Sequence, residues 1–282
     1  MRRVGRVAQG LAISCHLGPT LAVTALALAL ALGVGVDAGT AAVLGAAVLA
    51  GQLSVGWSND WIDAGRDLAV GRRDKPVVSG LVSARTLRGA ALGAAAACVG
   101  LSFAVGWLAG AAHVLAVASA WSYNLGLKST PWSWAPYALS FGLLTAFVTL
   151  ALPGHPWPAW WVPVAAGLLG VGAHLANVLP DLEDDDATGV RGLPHRLGRV
   201  GASLLAPGLL VAATALVVLG PPGPAPAGSW VGLAAAAALA GAGGAIALRR
   251  HRSKAPFYLT MVVAAVAVVL LVRAASALTT TA

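Results

Sequence analysis

Residues 39–57 read GTAAVLGAAVLAGQLSVGW, a run without a formal charge, and residues 58–67 that follow read SNDWIDAGRD. A helix needs about 20 apolar residues to cross a hydrocarbon core roughly 30 Å thick, and the first run supplies them. The abrupt arrival of Asp60, Asp63 and Asp67 marks the place where such a helix leaves the lipid. The rest of the chain has the same character. It has 282 residues, of which 58% are hydrophobic and only 10% charged. A soluble domain carries roughly a quarter charged residues, so the solvent for most of these side chains is lipid. Leu11–Val36 and Leu204–Leu219 are further uncharged runs, rich in Ala, Gly, Leu and Val, whose small side chains let bundled helices approach closely. The first of them is too long for a signal-peptide core and feeds straight into a second apolar segment. Cys15 and Cys98 lie inside apolar runs with no metal-ligand spacing, as small core residues do.

Apolar segments fall at 10–36, 39–57, 86–109, 111–127, 134–152, 160–178, 201–219, 229–248 and 256–278, which predicts an all-α bundle of nine transmembrane helices in a single domain spanning 1–282. The loops test this count independently, because Lys and Arg favour the cytoplasmic side. With the N-terminus in the cytoplasm, that side receives Arg2, Arg3, Arg6, Arg66, Arg72, Arg73, Lys75, Arg85, Arg88 and Lys128. It also receives Arg191, Arg196, Arg199, Arg249, Arg250, Arg252 and Lys254. Of the 18 basic residues only Arg273 falls elsewhere, near the end of the last segment. The opposite loops are short and rich in Pro, Gly and Trp, with Trp157, Trp160 and Trp161 placed as interfacial belt residues. This reading makes the chain a multi-pass membrane protein with an external C-terminus. The net charge of +8 then reports topology rather than a nucleic-acid partner.

Nine of the ten acidic residues lie in two clusters on the cytoplasmic side, and Asp37 stands apart in the first external turn. Each cluster contains the template N-x-x-x-D-x-x-x-D: Asn59, Asp63, Asp67 in one and Asn177, Asp181, Asp185 in the other. On a helix these positions lie along one face, so each template projects an amide oxygen and two carboxylates as a column. Like charges at that spacing repel, and an ionised Asp is costlier still near the membrane. Two facing columns are therefore explained by a cation held between them. Oxygen ligands without His or Cys favour Mg²⁺ completed by substrate phosphate. Loops that merely keep helix ends hydrated would scatter their acids and would not repeat one template twice on one side. Arg72, Arg73 and Lys75 follow the first column, Arg191 and Arg196 follow the second, and Lys128 is the only charge in its loop, after Tyr123. A carboxylate floor for Mg²⁺ under a Lys/Arg rim suits a diphosphate, although each Arg taken singly also serves the positive-inside rule.

These residues carry a resemblance to the UbiA-type intramembrane prenyltransferases, all-α membrane enzymes with two aspartate-rich motifs. Asn59-Asp60-x-x-Asp63-x-x-x-Asp67 resembles the family's first motif, and Asn177-x-x-x-Asp181-x-x-x-Asp185 its second. Residues 74–80 (DKPVVSG) are similar to an Arg-Pro-Leu-x-Ser-Gly segment, with Lys75 in the Arg place, and residues 192–198 (GLPHRLG) to its counterpart after the second motif. Tyr123 and Lys128 resemble a Tyr-x-x-x-Lys element one residue longer in spacing. The resemblance implies transfer of a prenyl group from an isoprenyl diphosphate to an aromatic or other nucleophilic acceptor inside the membrane. It implies Asn59, Asp63, Asp67, Asn177, Asp181 and Asp185 as Mg²⁺ ligands, with Arg72, Lys75, Lys128, Arg191, Arg196 and Tyr123 on the diphosphate. Asp63, Asp67, Asp181, Asp185 and Lys128 would carry the catalysis. Asp60 reads as a partner of the first column, and Asp184 and Asp186 as solvated neighbours of the second. His16 and His174 are each open to two readings, a contact with the acceptor or packing.

Three other classes compete. A terpene cyclase would share the ionisation step. A cation-coupled carrier would place its acids near the bilayer midplane rather than at helix ends. A phospholipid-type alcohol phosphotransferase carries a single D-G-x-x-A-R run, whereas Asp63 here is followed by Ala-Gly-Arg-Asp and the template occurs twice.

Overall fold

A computed structural model describes residues 2–69, 71–72, 75–187 and 189–279; Arg73 and Asp74 lie outside the described residues. The chain is helical from end to end. Its elements are α1 (Arg2–Ser14), α2 (Leu17–Gly33), α3 (Ala38–Ala69), α4 (Ala84–Val105), α5 (Trp107–Leu125) and α6 (Ala135–Thr149). They continue as α7 (Trp161–Val178), α8 (Leu182–Ala187), α9 (Leu193–Leu219), α10 (Ala227–Arg249) and α11 (Ala255–Arg273). Among the described residues β structure is limited to one isolated bridge between Pro158 and Thr279. Consecutive helices pack side by side, and α11 returns against α2 and α7 to close the bundle.

Every apolar segment of the sequence is a helix, with two corrections. The run 10–36 is not one straight rod. It breaks between α1 and α2 with a bend of 65°. The break is tertiary in origin: the indole of Trp57 on α3 donates to the Leu11 carbonyl at 2.9 Å, and the Thr20 hydroxyl donates to the Cys15 carbonyl at 2.6 Å. Gly56 makes room for it, because a β-carbon there would stand 2.9 Å from the Cys15 carbonyl oxygen. Among the described residues, six helices are long and apolar enough to cross a membrane, or seven with the bent α1–α2 pair counted as one span. The helix α6 is a shorter apolar element.

The second correction concerns the two templates. The first lies wholly on α3, which runs on from its apolar part through Asp67 without interruption. The second does not lie on one regular helix. The helix α7 ends at Val178, a 3-10 turn covers Leu179–Asp181, and α8 follows. Pro180 lacks the N–H that would continue the α-helical ladder, and the chain tightens at that point.

The main apolar core fills the end of the bundle away from the motifs, around Leu44, Phe147, Leu150, Trp161 and Leu278, all at most 3% exposed. Alongside that core lies an apolar pocket walled by α2, α6, α7 and α11 through residues such as Leu30, Phe141, Val148 and Ala267. Asp37 sits at the start of α3, where its carboxylate accepts the Thr40 N–H at 3.0 Å as an N-terminal cap. That hydrogen bond holds the carboxyl below the usual aspartate range.

Candidate active site

The end of α3 brings three aspartates inside the bundle: Asp60, Asp63 and Asp67 are 3%, 7% and 2% exposed. Buried carboxylates need partners, since leaving one unpaired costs several kcal/mol. Asp63 receives both of its from nearby. The Lys128 ammonium donates to its two oxygens at 2.5 and 2.7 Å, and Arg66, one turn along α3, stands at 3.0 Å. Asp60 points to a different set. It accepts from Lys75 at 2.8 Å and faces the His16 imidazole at 3.7 Å. Asp67 has one oxygen, Oδ1, that is buried without a hydrogen-bond partner.

Lys128 reaches Asp63 because α5 ends at Leu125 and a 3-10 turn over Leu127–Ser129 carries the chain back toward α3. Burial lowers the Lys128 ammonium below the ordinary lysine value, and the charge of Asp63 opposes that shift. The turn is clamped from the second half of the molecule. Ser133 accepts the Leu193 N–H at 2.8 Å and meets His174 Nε2 at 3.0 Å, so one hydroxyl ties this loop to α7 and to the start of α9. Gly192 completes the clamp. A β-carbon at that position would lie 2.6 Å from the Lys128 carbonyl oxygen and 2.7 Å from Ser133 Oγ.

The second column approaches from the other side of that loop. Asp185 lies within electrostatic reach of Asp181, Arg66, Arg72 and Lys128. Tyr123 lies within reach of both Asp63 and Asp185. It packs edge-on to Tyr137 at 5.3 Å and to His174 at 5.6 Å, with Tyr137 and His174 stacked at 4.6 Å. An aromatic trio thus lies beside the place where the two columns converge. Asn177 is exposed and Asp181 half-buried.

Of the residues singled out in the sequence, Asp63, Lys128, Tyr123 and Asp185 are brought together. Lys75 is committed to Asp60, and Arg191 to Asp186 at 2.8 Å on the surface. Arg196 is exposed on the first turns of α9. Glu183 is held by a forked contact from Arg199, and Asp184 stands 3.6 Å from Arg252. Ser133 carries no signal in the sequence, where it is one serine between two tryptophans. Gly192 was visible as the first residue of the 192–198 segment.

Mg²⁺ suits this donor set. Among the described residues, no three His, Cys, Asp or Glu side chains gather into a cage for a metal on their own. Mg²⁺ seldom asks for such a cage: it takes one or two carboxylates and completes its shell with phosphate and water. The unpartnered Oδ1 of Asp67 is the kind of buried oxygen such an ion would satisfy.

Comparison with known proteins identifies the family. The model of the UbiA prenyltransferase family matches residues 20–262. The 33 kDa chain of bacteriochlorophyll synthase from Cereibacter sphaeroides is 34% identical over 200 residues, 64% of this chain and 64% of that protein. Digeranylgeranylglyceryl phosphate synthase from Methanopyrus kandleri is 35% identical over 182 residues, again 64% of each. The match thus spans a little under two thirds of these relatives' length. Among solved structures, the apo UbiA homolog from Aeropyrum pernix K1 superposes with a TM-score of 0.73 at 20% identity, covering 91% of this chain and 98% of that one. A UbiA homolog from Archaeoglobus fulgidus, solved bound to GPP and Mg²⁺, gives 0.70 at 15% identity, covering 95% and 99%. With the family model matched across most of its length, and two aspartate motifs meeting at one end of a helical bundle, this chain belongs to the UbiA prenyltransferase family.

Proposed function

We propose that the protein transfers a prenyl group from an isoprenyl diphosphate to an aromatic or other nucleophilic acceptor within the membrane, with Mg²⁺ as the required ion. The observation that carries this reading is the convergence of Asp63, Asp185 and Lys128, three buried or half-buried charges from distant parts of the chain. The Archaeoglobus homologs solved with GPP or DMAPP and Mg²⁺ support it at the level of the fold. Asn59, Asp63 and Asp67 would hold the ion from one side, and Asn177, Asp181 and Asp185 from the other. When bound, Mg²⁺ supplies the charge that lets diphosphate depart. Lys128, Arg72 and Arg66 surround the same space and meet the developing negative charge with groups already in place. Lys75, Arg191 and Arg196 belong to an outer rim and guide the anion without touching the leaving oxygen. The aromatic trio lies where the allylic cation would form, and ring faces favour positive charge. The apolar pocket walled by α2, α6, α7 and α11 accommodates a hydrocarbon tail and keeps water from the cation.

In this reading the chain is one domain crossing the membrane nine times: the bent α1–α2 pair once, then α3 to α7 and α9 to α11. The motif end is cytoplasmic. A reporter at Arg252 reads as cytoplasmic and one after Ala282 as external; both on one side would defeat the topology.

The decisive experiment gives purified protein Mg²⁺ and prenyl diphosphates of several lengths, with and without a phenolic acceptor. Prenylated acceptor, lost with EDTA and restored by Mg²⁺, is the expected result. A cyclic hydrocarbon formed at catalytic rates without acceptor identifies a cyclase instead, and no consumption of any diphosphate overturns both.

A further inference from the structure

Resting on that reading, the transfer leaves a proton without a destination. A phenol, an alcohol or an aromatic ring carbon that captures an allylic cation must shed a proton, and a base within reach speeds that loss by about 10²–10⁴-fold. The paired carboxylates nearby are poor candidates, because Asp63 is engaged by Lys128 and Arg66 and Asp60 by Lys75. The chain has 6 histidines. His113 and His174 are 3% and 1% exposed, His155 is in the outer turn, both ring nitrogens of His195 are enclosed, and His251 is in the α10–α11 loop. His16 differs from all of them.

His16 occupies the break between α1 and α2 in the left-handed region, with φ 53° and ψ 61°. His155 shares that conformation, with φ 50°, so what sets His16 apart is its neighbourhood and not its backbone. The break is fixed by Trp57, Gly56 and Thr20, so the imidazole is aimed and not merely exposed. Its side chain is 48% exposed, while Nε2 faces the buried Asp60 carboxylate at 3.7 Å. A carboxylate on that side favours the tautomer with the proton on Nε2, which leaves Nδ1 free to accept one. Asp60 follows Asn59 directly and lies one turn before Asp63, so His16 stands at the rim of the first column.

We propose that His16 is the general base of the transfer and that the acceptor is protic at its nucleophilic atom. The bond from prenyl C1 to the diphosphate oxygen breaks, and its electron pair leaves with diphosphate. The acceptor's electron pair forms the new bond to C1. The acceptor's proton passes to Nδ1 of His16, leaving an imidazolium that faces the Asp60 carboxylate. Asp60 acts as a positioning residue, shared with Lys75, which also fixes the 75–82 loop.

The test uses the full-length protein with Mg²⁺ and geranyl diphosphate, offering either 1-naphthol, which must lose a proton, or azide, which has none to lose. His16→Asn is the chosen variant because Asn tolerates the left-handed conformation. Geranylated naphthol is expected to fall about 100-fold, with added imidazole restoring part of the rate, while geranyl azide forms within about twofold of the wild type. Undiminished naphthol product, or a parallel fall of both products, overturns the assignment, the latter exposing a structural role. A wild-type protein that yields neither product and releases no diphosphate overturns the prenyltransferase reading itself.

Discussion

The column on α3 and the column that runs from α7 into α8 differ in what stands around their carboxylates. On α3, cations reach inward: Asp60 has Lys75, and Asp63 has Lys128 and Arg66, all within 3.0 Å. Around the second column, the recorded ion pairs belong largely to its neighbours, with Glu183 on Arg199, Asp184 near Arg252 and Asp186 on Arg191. Asp181 and Asp185 are close enough to repel one another, while Arg66, Arg72 and Lys128 act on Asp185 in the opposite sense. Two copies of one template have become two unlike half-sites. In the first, Asp60 and Asp63 are paired with inward-reaching cations; the second is an acidic lip in which Asp181 opposes the charge of Asp185 while Arg66, Arg72 and Lys128 favour it.

The largest expected contrast follows from that difference. Asp63→Ala and Asp181→Ala should each lower turnover by about 100-fold or more, since each would remove a ligand of the proposed Mg²⁺. Only Asp63→Ala should also unsettle the fold, because it strands the buried Lys128 ammonium, at a cost of about 3–5 kcal/mol. Thermal unfolding in detergent reads this directly, and equal midpoints for the two variants would break the comparison. Gly192→Ala tests the join between the halves. Its β-carbon would press on the Lys128 carbonyl and Ser133, an overpacking worth about 1–3 kcal/mol. Displacing Lys128 by about 1 Å should cost up to about 100-fold in turnover. Normal kinetics in this variant would show that the clamp does not place Lys128. The smallest effect is expected at Asp186→Ala, where an exposed ion pair contributes at most about 1 kcal/mol and turnover should stay within about twofold. A loss comparable to that of Asp181→Ala would mean that the lip extends further than drawn here.

The sequence shows the all-helical character of the fold, because burial in lipid writes itself into composition and each apolar segment overlaps a helix, although 39–57 and 201–219 are parts of the longer α3 and α9. The first column is equally legible, since nothing in residues 39–67 disturbs a helix. The bend after α1 is not, because it is made by Trp57, Gly56 and Thr20 acting on a run that is apolar throughout. The tightening at Pro180 departs from the helical reading of the template, because proline lacks the N–H that would continue the ladder. Partner choice is the least visible layer. Lys75 serves Asp60 rather than the inner space, and Tyr123 serves an aromatic trio, because both outcomes depend on helices distant in the chain.

The serine clamp has a consequence for how the protein is made. A chain emerging N-terminus first has Asp63 and Lys128 available to neutralise each other well before residue 193 exists. The early helices can therefore settle in the bilayer with that charge already cancelled. Ser133, by contrast, waits for the Leu193 amide and for His174 before its loop is fixed. A chain halted midway would hold the Asp63–Lys128 pair but not the clamp on its loop, which closes only as the last third of the protein arrives.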